Sequence, residues 1–273
     1  MRTSAYLLLP ALLLASLTAS AQRRIEANTA FIPEVQAEWA LNGNDYLMAG
    51  FNVVAQKLGE NSSVFGGQLR LGYEHFWNEQ WSWGGTLRLL RGMDQRYGDF
   101  LGQPGNVTPG LLLRHSGKIG SLNFGQRLGV EYAISTSDAL SIANQNRGLA
   151  RLRLDLERQF PLGATIALRP RLAYEVGAYT RLQRDETELK ERVVDFGSLR
   201  GEVGIRVSSH IDVTPWVASQ TSYNNFLPQY DAAGKQVSGG RTNIITPVFG
   251  LDARFTVFRD EPSPERKQLP TQH

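Results

Sequence analysis

The sequence predicts an all-β chain, an antiparallel transmembrane β-barrel of about 10–12 strands. Three observations predict it. Apolar and polar residues alternate with period two almost from end to end. The alternating segments mostly run to 11 residues or more, enough for a tilted strand to cross a hydrocarbon layer; strands of soluble domains average about five or six. Short turns alternate with long polar connections along the chain.

The chain opens outside the fold. Arg2 supplies a positive start, 6–14 is an apolar core, and Ala19-Ser20-Ala21 reads as a small-x-small cleavage site. Residues 1–21 are therefore expected to be a signal peptide, the rival being an N-terminal anchor. The apolar run is shorter than the ~20 residues a spanning helix needs. Residues 22–258 form the expected barrel, with 22–30 as a possible N-terminal extension.

Ten clear strands fall at 45–57, 64–77, 80–91, 107–115, 119–134, 147–159, 163–181, 194–208, 211–225 and 243–258. An eleventh candidate, 31–41, sets Val35, Ala37, Trp39 and Leu41 against Glu34, Gln36 and Glu38, and Asn42-Gly43-Asn44-Asp45 is its hairpin signal. Short turns are expected at Asn78-Glu79, Ser116-Gly117-Lys118, Pro161-Leu162-Gly163 and Ser209-His210. Longer polar loops are expected near 92–106, 135–146, 182–193 and 226–242. Eleven strands break the usual even count. Either a twelfth is hidden within 92–106 or 226–242, or 31–41 does not close the barrel. Three prolines and mixed charge make 259–273 a polar, disordered tail.

One face of these strands suits lipid. It carries Leu69, Leu71, Leu128, Val130, Leu199, Leu251 and Val257, with aromatics near strand ends: Tyr73, Trp77, Trp81, Trp83, Tyr132, Phe160 and Trp216. Amphipathic rings of this kind sit at a bilayer interface. A soluble sandwich core is the rival reading of the same residues. The opposite face carries the cations Arg70, Arg88, Arg114, Arg127, Arg151, Arg153, Arg169, Arg171, Arg181, Arg200, Arg206 and Arg254. Its anions are Glu34, Glu38, Glu74, Glu131, Asp155, Glu157, Glu175, Glu202 and Asp252. Lysine is absent from this face. Arginine suits confined ion pairs, because its planar fork makes several hydrogen bonds and stays charged. Two readings of the lumen stay open: a cross-linked plug, or a narrow pore whose surplus arginine favours a small anionic solute.

Composition and motifs narrow the function classes. The chain has no cysteine, and its 29 Lys+Arg against 26 Asp+Glu give a net charge of +3. That excludes disulfides and thiolate chemistry, and is a poor match to a nucleic-acid binder. Four histidines leave little scope for a metal cluster, and neither a metal nor another cofactor is expected. His115-Ser116 and Ser209-His210 are adjacent pairs rather than a nucleophile and base on one strand face. His75 falls in the lipid-facing register. Asp155 and Glu157 are interleaved with Arg151 and Arg153, so ion pairing is expected of them rather than acid–base catalysis. No catalytic residue is singled out, and no enzymatic activity is expected.

Segment 147–176 pairs two Arg-rich alternating strands and resembles the uncharacterised DUF2490 family of bacterial outer-membrane barrels, as does the hairpin of Trp39. Segment 250–258, with its terminal Phe258, resembles the aromatic-ended signal read by barrel-insertion machinery. The resemblance implies the outer membrane of a Gram-negative cell, with membrane lipid as a partner, and supplies no catalytic residue. The expected roles are a porin-like transport protein, a closed structural or loop-binding barrel, or, third, an envelope enzyme acting on lipid or peptide.

Overall fold

Branched and aromatic residues at every second position favour extended backbone, because they pack on the faces of a pleated sheet. The computed structural model describes residues 23–58, 61–91, 105–136, 146–163, 166–180, 192–234 and 236–259. The expected signal peptide, Arg181, most of the loops 92–106, 135–146 and 182–193, and the tail beyond Arg259 lie outside the described residues.

The described strands are β1 (Arg23–Glu26), β2 (Ala30–Asn42), β3 (Asp45–Leu58), β4 (Asn61–Phe76), β5 (Trp81–Arg91), β6 (Asn106–Ile119) and β7 (Leu122–Ser135). They continue as β8 (Arg147–Glu157), β9 (Phe160–Pro161), β10 (Ala167–Thr180), β11 (Phe196–Arg206), β12 (Ile211–Tyr230) and β13 (Gln236–Phe258). Eleven of them close into a barrel. β9 only extends the end of the β8–β10 hairpin. β1, inside the expected 22–30 extension, lies parallel on β13 from Arg23↔Thr242 to Glu26↔Ile245.

Neighbours around the wall are antiparallel except at one seam, where β13 runs parallel to β2 from Val248↔Ala30 to Phe258↔Ala40. An odd number of alternating strands brings the last round in the direction of the first, so the seam must be parallel. Segment 31–41 therefore does close the barrel. Parallel pairing is slightly weaker per residue, and side chains stitch this seam from within. Arg254 Nε donates to Gln36 Oε1 at 2.9 Å, and the Thr256 hydroxyl donates to Glu38 at 3.4 Å.

Two expected connections lie elsewhere. β6 runs through Ser116-Gly117-Lys118 and turns at Gly120, whose φ of +60° a side chain would resist. The expected loop 226–242 is instead a hairpin. β12 and β13 stay paired to Tyr230↔Gln236, Asp231 accepts the Ala233 N–H at 2.9 Å, and Gly234 supplies φ +76°. That segment extends two existing strands and adds no twelfth.

The barrel is polar inside and apolar outside. On β10, outward Leu172 is 55% exposed while inward Arg171 is 9%. Small apolar clusters sit within, towards the two rims. Tyr46, Met48 and Phe76 pack at the short-turn end, with Tyr46 edge-on to Phe76 at 5.7 Å. Ile32, Val54, Leu90 and Val248 pack with Trp216 on the other side. Charged side chains fill the space between.

Candidate functional site in the barrel lumen

Strand parity aims the arginines inward, and carboxylates on nearby strands meet them. One ring uses β5, β7, β8 and β10. Glu131 accepts from Arg88 and from Arg151 Nε at 3.2 Å, while Glu175 accepts from Arg151 Nη1 at 2.9 Å and Arg127 Nη2 at 2.7 Å. Two carboxylates thus bridge three guanidiniums. A second chain of pairs runs from β8 to β13. Glu157 accepts from Arg169 at 2.7 Å and Arg171 at 2.9 Å, and Arg171 also donates to Glu202 at 2.7 Å. Arg200 joins Glu202 at 2.6 Å to Asp252 at 3.1 Å. Asp155 stands 3.8 Å from Arg171.

Smaller groups complete the lining. Arg70 pairs with Glu34, which also accepts from Gln36 at 2.9 Å. Arg254 lies 3.4 Å from Glu38. Arg114 lies 3.1 Å from Glu74, whose carboxylate accepts the Ser82 hydroxyl at 2.5 Å. Arg206 lies 3.4 Å from Asp212. Burying a charge costs several kcal/mol, and an opposite charge close by offsets that cost. The pairs follow the wall: Arg88–Glu131, Arg127–Glu175, Arg200–Asp252 and Arg70–Glu34 each skip one strand, and Arg151, Arg169, Arg171 and Arg254 reach a neighbouring strand.

The expected lumen residues thus come together. For Asp155 and Glu157 the partners differ from the interleaved Arg151 and Arg153: Glu157 is held by Arg169 and Arg171 of the facing strand. Within the ring lies a cavity of about 70 Å³. Its charged lining is Arg70, Arg88, Arg127, Arg151, Arg153 and Arg200 against Glu131 and Glu175 alone. Cations outnumber anions three to one at this point, against twelve to nine over the whole face as read from the sequence.

One site assignment is overturned. Trp216 is not an interface aromatic; it points into the lumen and is 5% exposed. Its indole N–H donates to Asp252 at 2.8 Å, and the Arg200 guanidinium lies 3.9 Å over its ring. Parity carries the signal for this: Asp212, Thr214 and Trp216 share the even positions of β12, opposite Val213 and Val217. The uncharged lumen residues Asn52, Gln68 and Thr108, also buried, carry no such signal in the sequence. Such side chains sit equally well in water or in a polar core, so alternation alone does not flag them.

The other aromatics face outward as expected. Trp77, Trp81, Trp83, Tyr132 and Phe160 are exposed, and Tyr73 is half-buried. At the short-turn rim Asp45 accepts the Tyr73 hydroxyl at 2.5 Å and meets His75 Nδ1 at 2.8 Å. The rings of His115 and Trp81 lie 4.5 Å apart. The His210 ring Nδ1 lies 2.8 Å from the Thr256 carbonyl. Among the described residues no group of three or more His, Asp or Glu could hold a metal ion. No family model matches the chain, and no curated protein matches it.

Gly250 makes room for Trp216. A Cβ built there would fall 2.0 Å from the indole. Gly250→Ala is expected to lose about 1–3 kcal/mol through overpacking, read as a lower melting point in heat-modifiable gel migration. Gly201→Ala, whose Cβ would meet nothing within 4 Å, should leave that temperature near the parent value. Equal melting points for the two variants would show that the Trp216 ring is not confined.

Proposed function

We propose that this chain is a non-enzymatic outer-membrane β-barrel of a Gram-negative cell, through whose narrow, arginine-rich lumen small anions pass. The observation that carries this reading is the cavity lined by six arginines and two glutamates. A surplus of fixed positive charge in a confined space attracts anions and repels cations. The apolar outer face of the closed wall supports a lipid surround. Eleven strands fall between the eight that side chains fill and the sixteen that leave a channel. The same proposal includes export by a cleaved signal peptide, insertion guided by the strand ending at Phe258, and kinship with the DUF2490 barrels.

A second reading is a closed structural or surface-binding shell, with the long-loop rim as its working surface. The apolar packing of Tyr46, Met48 and Phe76 near one end of the lumen favours it. Conductance separates the two. The purified mature chain, refolded and placed in a planar bilayer under a salt gradient, should give small discrete steps with anion preference. Arg153→Glu or Arg171→Glu should lower that preference. A silent bilayer, with heat-modifiable migration proving that the barrel has folded, would leave the shell reading and remove the passage.

A further inference from the structure

We infer that the lumen cavity is a binding site for one free tetrahedral oxyanion of the phosphate or sulfate class. The inference rests on the anion-passage reading for its route of entry, and adds that one class of anion is held on the way.

Three observations carry it. Each of Arg88, Arg151 and Arg200 lines the cavity and is more than nine-tenths buried, with relative exposures of 8%, 7% and 4%. Each keeps one guanidinium nitrogen without a protein acceptor: Nε of Arg88, Nη2 of Arg151 and Nη1 of Arg200. A buried donor left without an acceptor costs free energy, more so on a charged group. An anion that enters from outside would supply acceptors of matching charge. The glutamates at the cavity cannot serve, because Glu131 and Glu175 are already shared among Arg88, Arg151 and Arg127.

The three arginines come from separate strands, β5, β8 and β11, so they line the cavity from different parts of the wall. A planar carboxylate is met well by one arginine fork. An acceptor with oxygens in several directions matches three arginines on three strands better. Size agrees. A water occupies roughly 10–15 Å³ of such space, so the cavity of about 70 Å³ holds on the order of five water-sized groups. That suits a central atom with four oxygens. Ser198 and Thr86 also line the space, and their hydroxyls can donate to any oxygen not met by a guanidinium.

Equilibrium dialysis of the refolded mature barrel against radiolabelled inorganic phosphate tests the site. Saturable binding of one phosphate per barrel is expected, displaced by sulfate and not by equal concentrations of chloride, nitrate or glycerol phosphate. Arg88→Lys keeps the charge and removes the Nε–H. It should weaken binding by about tenfold, the value of one charge-assisted hydrogen bond. Should that variant fail to fold, the parent protein still decides. Phosphate should change the tryptophan emission of the parent and leave Trp216→Phe unchanged, because Arg200 lies against that ring.

Anion-selective conductance without saturable phosphate binding would overturn the site and keep the passage. Saturable binding on a silent bilayer would keep the site and remove the passage. Equal displacement by glycerol phosphate would overturn the free-ion form of the inference.

Discussion

Glu131→Gln is expected to destabilise the barrel by about 3–5 kcal/mol, the cost of breaking a buried ion pair from one side. Glu131 accepts from both Arg88 and Arg151, and its side chain is only 13% exposed. Arg151 retains Glu175, whereas the ion pair described for Arg88 is the one with Glu131. The amide offers one acceptor oxygen, carries no charge, and turns two donors of its own toward cations. The measurement is a urea titration of the refolded protein, with heat-modifiable migration reporting the folded fraction. Arg88→Met in the same background should recover part of the loss, because removing both charges is far less costly than stranding one. A Glu131→Gln barrel within about 1 kcal/mol of the parent, the range of an exposed pair, would show that water already screens this ring. The lumen would then be wide and wet rather than narrow.

Introduced cysteines should be labelled on one rim and not on the other. The native chain has no cysteine, so each introduced thiol is the sole target. The eleven strands put the start of β2 and the β12–β13 hairpin tip at one rim. The short turns and the end of β13 lie at the other. In an outer-membrane barrel the short turns face the periplasm. Ala233→Cys and Asn28→Cys should therefore react with a membrane-impermeant maleimide on intact cells. Asn78→Cys and Arg259→Cys should react only after the outer membrane is opened. The pairing of Asn28 with Ala233 is the stringent part, because an even-stranded barrel would return its N-terminus to the short-turn rim. Labelling of Asn78→Cys but not Ala233→Cys in intact cells would invert the orientation. Labelling of all four would place the chain outside a sealed membrane.

Much of the lumen was legible because strand geometry is strict. On β8 and β10, apolar Leu152, Leu154, Leu172 and Tyr174 point out while Arg151, Arg153, Arg171 and Glu175 point in, as period-two alternation requires. A slip of one residue would turn every arginine of a strand into the apolar surround, so the register tolerates no drift. At Trp216 residue type and strand parity disagree, and parity decides. A tryptophan suits an interface, but its neighbours Asp212 and Thr214 mark its side of β12 as the inside, where Gly250 leaves space for the ring.

The amino-acid sequence by itself determined the all-β class, the two faces, most of the strand positions and the inward arginines. These depend on local periodicity, and each strand carries its own record of it. Only the tertiary structure decided the count of eleven, the parallel seam, the partner of each arginine and the local surplus of cations around the cavity. Those features depend on which strands become neighbours when the wall closes. Closure joins Val248 to Ala30 and Phe258 to Ala40 across most of the chain, and side chains on strands far apart in sequence then share one confined space whose charge no single strand encodes.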